Sequence, residues 1–135
     1  MSLDIRQRER ENVQILDLKG RLTVGEETST LREKLQKMAA DGASKVILNL
    51  QEVDYIDSTG LGCLVMCYNT LKKAGGSMKL LHLSKRNVEL LVLTKLTTVF
   101  EMFSDEQDAV NSFFPGREIK KFDILDFVQS RKEDA

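Results

Sequence analysis

Along this chain the spacing of apolar residues switches between a period of two and a period near four, and those switches predict its elements. Val13, Ile15, Leu16 and Leu18 mark a strand, with the more polar Met1 to Arg10 as an edge strand beside it and a turn at Gly20 closing it. Leu31, Leu35, Met38 and Ala39 then recur at helical spacing, on a segment opened by Glu26 and Glu27, whose charges suit a helix N-terminus, and ended by Gly42. Val46-Ile47-Leu48-Asn49-Leu50 is almost continuously apolar, as expected of a central strand covered on both faces.

After Asp57-Ser58-Thr59-Gly60 a second helix is predicted, with Leu61, Leu64, Val65, Tyr68 and Leu71 on one side and Gly75-Gly76 at its end. Cys63, Met66 and Cys67 make its other side apolar as well. A strand over Met78 to Leu83 follows, then a helix over about Lys85 to Leu93, a short strand around Val99-Phe100 and a helix from Asp105 to Phe113. Strands alternating with helices through short connections imply right-handed crossovers. The expected fold is therefore α/β, a mostly parallel mixed sheet of four to five strands flanked by about four helices.

Residues 1–114 make one domain in this reading, and Pro115-Gly116 interrupts the last helix. Beyond it, Phe122, Ile124, Leu125, Phe127 and Val128 form an amphipathic pattern, so residues 115–135 are read as an appended helix over about 121–132. Asp123, Asp126, Glu133 and Asp134 offset its basic residues, which argues for docking on its own domain or on a second subunit, as in a homodimer, and against a membrane surface.

Composition adds limits. The 135 residues can hide roughly two-thirds of their unfolded surface in one core. Twenty basic against twenty-one acidic side chains give a net charge of -1, which offers no general attraction to nucleic acid or anionic lipid. No signal sequence or membrane-length apolar run is present, so a cytoplasmic location is expected. The only two cysteines, Cys63 and Cys67, lie four apart in one predicted helix and read as small core-facing residues, with no disulfide framework.

Candidate chemistry concentrates at Val53-Asp54-Tyr55-Ile56-Asp57-Ser58-Thr59-Gly60-Leu61-Gly62, where a strand hands over to a helix with a hydroxyl at the junction. Asp57 or Ser58 would be the N-cap. A catalytic serine needs a base, but the only histidine, His82, belongs to another predicted strand, and the Gly-x-Ser-x-Gly elbow is absent. Lys72 and Lys73 lie far along the helix from Ser58. The glycines match neither nucleotide-binding spacing, no metal-ligand constellation is seen, and no cofactor is expected. An enzyme is not indicated.

Ile56-Asp57-Ser58-Thr59-Gly60-Leu61-Gly62 resembles the phosphoacceptor segment of STAS domains of the bacterial anti-sigma factor antagonist family. Leu18-Lys19-Gly20-Arg21-Leu22, the strand over Val46 to Leu50 and Gly75-Gly76 agree with it, and the similarity runs through residues 4 to 113 in order. The resemblance implies a partner switch. The unphosphorylated protein binds an anti-sigma factor that is also a serine kinase and so frees a sigma factor, the kinase phosphorylates Ser58, and a metal-dependent serine phosphatase reverses the modification. Gly20, Thr23, Asp54, Asp57, Thr59, Gly60 and Leu61 are the partner-binding residues it implies. Thr23 stands where well-known members often carry Asp, so it offers a hydrogen bond but no charge. The alternative is a STAS interaction scaffold in another signalling or transport pathway.

Overall fold

The computed structural model describes residues 3–120, 122–125 and 127. Strands β1 (Asp4–Arg10) and β2 (Val13–Leu22) form a hairpin, followed by α1 (Glu26–Ala40), β3 (Lys45–Ile56), α2 (Ser58–Lys73) and β4 (Ser77–Leu81). Then come α3 (Lys85–Leu93), a 3-10 turn (Leu96–Thr98), β5 (Met102–Phe103) and α4 (Glu106–Asn111). The sheet order is β1-β2-β3-β4-β5, with β1 antiparallel to β2 and every other pair parallel. The α/β architecture with a mixed, mostly parallel sheet is as expected from the alternation of elements.

The hairpin turn is two residues long, and both Glu11 (φ 51) and Asn12 (φ 69) take left-handed backbone, as a twist-matched tight turn requires. In β3 the apolar run divides between two faces. Val46, Leu48 and Leu50 join the main core, while Ile47 joins Val13, Ile15, Leu81, Phe103, Ala109 and Val110 in a smaller core. Burial on both faces explains why this strand reads as continuously apolar.

Several boundaries differ from the sequence expectation. Gly20 does not end β2: it sits inside the strand at φ 127, beside a register shift against β3 that continues the pairing to Leu22↔Ile56. The short strand is at Met102–Phe103, not Val99-Phe100. Lys95 at φ 62 starts a tight turn, and both Val99 and Phe100 donate their N–H groups to Leu96 O. Phe100 is buried all the same, edge-on to Tyr68 at 5.5 Å between ring centres. Its apolarity reported burial and not strand geometry. Helix α4 is shorter than predicted, with Asp105 as its cap, accepting from Asp108 N. β4 stops at Leu81, and His82 bends away at φ 57 with its N–H on Phe103 O at 2.9 Å.

The helix predicted over 121–132 lies largely outside the described residues. Within it Ile124, Leu125 and Phe127 have helical backbone, and Phe127 N donates to Asp123 O at 3.0 Å. Phe122, Ile124 and Phe127 pack against the main core, whereas Leu125, expected on the buried side, is 68% exposed.

Candidate functional site

The site is built where β2 and β3 end side by side. Parallel pairing brings Leu22 opposite Ile56, so the loop leaving β2 meets the start of α2. Asp57 resolves the ambiguity over the cap. Its Oδ1 accepts from Gly60 N at 2.8 Å and its Oδ2 accepts from Val24 N at 3.0 Å, while its own N–H donates to Leu22 O at 3.1 Å. One carboxylate therefore closes the helix N-terminus and fastens the 23–25 loop to it. The Gly60 N–H, then the Val24 N–H, hold the Asp57 carboxyl below the usual carboxylate range against the opposing effect of burial.

Because Asp57 is the cap, Ser58 is the first helical residue and is free of that duty. It is exposed, and its hydroxyl makes no hydrogen bond among the described residues. Thr59 and Asp54 are also exposed, and Thr23 is half-buried just beyond β2. Gly60 and Leu61 are buried. Gly20 lies back along β2, paired with Val53. The fold thus groups Thr23 with the Asp57–Gly60 turn, puts Asp54 on the adjoining strand end, and uses Gly60 and Leu61 to seat the helix.

Three residues at the rim escaped sequence reasoning. Val24 is 73% exposed despite its side chain, because only its backbone is anchored. Tyr55 is exposed and carries the Arg86 guanidinium 4.5 Å over its ring. Met66 is exposed on the α2 face that carries Ser58 and Gly62, which precede it by eight and four residues. Met66 belongs to the second apolar side of α2, which gave no sign of its exposure, and nothing in the sequence pairs Tyr55 with Arg86. These contacts exist only because separate elements converge.

Chemically, the arrangement presents an accessible hydroxyl at a helix N-terminus with no base in hydrogen-bond reach of it among the described residues. The helix dipole at that position favours an anion.

The sequence profile of the STAS domain matches residues 4–109. The chain is 34% identical over 110 residues to the anti-sigma-B factor antagonist of Bacillus subtilis, covering 82% of this chain and 99% of that relative. In three dimensions it resembles a crystal structure of a putative anti-sigma factor antagonist from Thermotoga maritima, with a TM-score of 0.74 and 22% identity over 80% of this chain and 92% of the other. It also resembles the Bacillus cell fate determinant SpoIIAA in its phosphorylated form, with a TM-score of 0.64 and 19% identity over 82% and 99% of the two chains. At these identities the structural likenesses speak for the fold.

Proposed function

This chain belongs to the STAS domain family, and from that premise we propose that it is an anti-sigma factor antagonist switched by phosphorylation of Ser58. The observation that carries the reading is the division of labour in the turn: Asp57 caps α2, leaving the Ser58 hydroxyl exposed and without a hydrogen bond among the described residues. In this reading the unphosphorylated protein binds an anti-sigma factor that is also a serine kinase, and so releases a sigma factor. The kinase then modifies Ser58, and a metal-dependent serine phosphatase resets it.

The physics of such a switch is favourable. A phosphate adds about -1.5 to -2 charge. The helix N-terminus stabilises that charge, so the domain stays folded, while the phosphate adds to the negative charge of the neighbouring Asp57 carboxylate, with Asp54 on the adjoining strand end. The penalty then falls on binding. A loss of about 3 to 4 kcal/mol at a desolvated interface lowers affinity several hundredfold. Thr23, Asp54, Asp57 and Thr59 would form the rim that the partner touches, with Gly20, Gly60 and Leu61 holding that rim in shape.

The test is affinity capture from host lysate with Ser58→Ala and Ser58→Asp baits, read by mass spectrometry. A small ATP-binding serine kinase retained by the Ala bait and lost from the Asp bait is the expected result. Identical partners on both baits would reduce Ser58 to an ordinary helix residue and favour the scaffold reading.

A further inference from the structure

Two thiols lie further along α2 from Ser58. Cys63 and Cys67 occupy successive turns of α2 with their Sγ atoms 4.0 Å apart, both unbridged. They are 6% and 1% exposed. The Cys63 S–H donates to the carbonyl oxygen of Thr28 at 3.2 Å, in the first turn of α1. The contact with Cys67, aided by the nearby Arg32 guanidinium, draws the Cys63 thiol below its ordinary range. The same contact, with burial, pushes the Cys67 thiol up. Cys63 is the cysteine nearer the surface and the Cys67 sulfur lies in contact with it, the placement of an attacking and a resolving thiol.

We propose that Cys63 and Cys67 form a reversible disulfide within α2 when a peroxide reaches Cys63, and that this modification loosens the Ser58 turn. The Cys63 thiolate attacks a peroxide oxygen, the O–O bond breaks, and hydroxide leaves and takes a solvent proton, giving a sulfenic acid and water. The Cys67 sulfur then attacks Cys63 Sγ. The S–S bond forms as the S–O bond breaks, and the departing hydroxide takes the Cys67 proton as a second water. Two thiols are oxidised by two electrons and one peroxide is reduced to two waters.

The structural consequence follows from helix geometry. Side chains four apart on a regular helix keep their Cβ atoms about 5–6 Å from each other, whereas a disulfide needs about 3.5–4.5 Å. Closing the bond must distort α2 just behind Gly60. It also removes the S–H that reaches Thr28. The β2–α1 loop is tied to α2 by Val24 N–H on Asp57 and the first turn of α1 by Cys63 S–H on Thr28, and oxidation cuts the second tie. A bond strained in this way is readily reduced, which suits a reversible modification. The chemistry is independent of the antagonist reading, because it concerns the thiols alone.

The experiment uses the purified, reduced full chain treated with hydrogen peroxide. The expected product is a monomer lighter by two hydrogens, with both thiols blocked to alkylation in denaturant and restored by dithiothreitol. Cys67→Ser should stop at a dimedone-reactive sulfenic acid on Cys63. Hydrogen exchange of the oxidised wild type should be several-fold faster over residues 24–30 and 58–62. Thiols that stay alkylatable, or that are lost only to intermolecular dimers or sulfinic acid, overturn the disulfide. A disulfide that leaves exchange in both segments unchanged overturns the coupling.

Discussion

A Cβ atom built on Gly60 would stand 2.0 Å from the carbonyl oxygen of Leu22 and 2.6 Å from its carbonyl carbon. The first turn of α2 thus rests on bare backbone at the end of β2, and the same carbonyl accepts the Asp57 N–H. Gly60→Ala must separate the two elements. The expected loss is about 1–3 kcal/mol or more, as for other overpacked sites, seen as a lower urea midpoint with little change in slope. Wild-type stability in this variant would show that the helix can slide off Leu22 at no cost.

Gly62, two residues on, is the control. A Cβ there meets nothing within 4 Å, and the residue is an exposed helix position. Gly62→Ala should stabilise by about 0.5–1 kcal/mol through backbone entropy alone. Differential scanning calorimetry should report a melting temperature higher by a few degrees.

Glu106 at the start of α4 is held by Arg8 and Arg10 of β1, at 2.5 Å and 2.7 Å. The Arg8 hydrogen bond, ahead of the contribution from Arg10, brings the Glu106 carboxyl down to about 2. A carboxyl depressed in the folded state adds stability that is complete above its unfolded value, near 4.5, and that disappears as pH falls toward 2. After allowance for solvent screening the contribution is about 1 kcal/mol. Glu106→Gln should lose that much at neutral pH and flatten the acid limb of a stability-against-pH curve. An acid limb identical to wild type would mean that the pair is not coupled to folding.

Truncation before Pro115 removes Phe122, Ile124 and Phe127, which pack against the main core. The shortened chain should be less stable by about 2 kcal/mol or more, since fully burying one such side chain is worth about 1.5–3 kcal/mol. Chemical denaturation and light scattering would check stability and association state together. If neither changes, the extension does not support the domain.

The same features mark how far the sequence could be read. Strand β3 and helix α2 were legible because their periodicities are strong and their ends carry Gly or capping residues. β5 was not, because an apolar pair such as Val99-Phe100 signals burial without fixing backbone direction, and the left-handed Lys95 carries no sequence signature. Gly20 looked like a turn because glycine marks bulges and turns alike. In the C-terminal segment the amphipathic pattern was visible, but which of Leu125 and Ile124 faces inward depends on how the segment meets α3 and β5.

At the site, sequence determined that a hydroxyl would stand at a strand-to-helix junction with two capping candidates beside it, since local composition alone imposes that. Tertiary structure decided which of the two caps. Val24 N–H reaches Asp57 only because β2 and β3 end in register, and that second hydrogen bond holds Asp57 in the capping position in place of Ser58. A preference shared equally by neighbouring residues is broken by a partner thirty-three residues away, and no local pattern can carry that information.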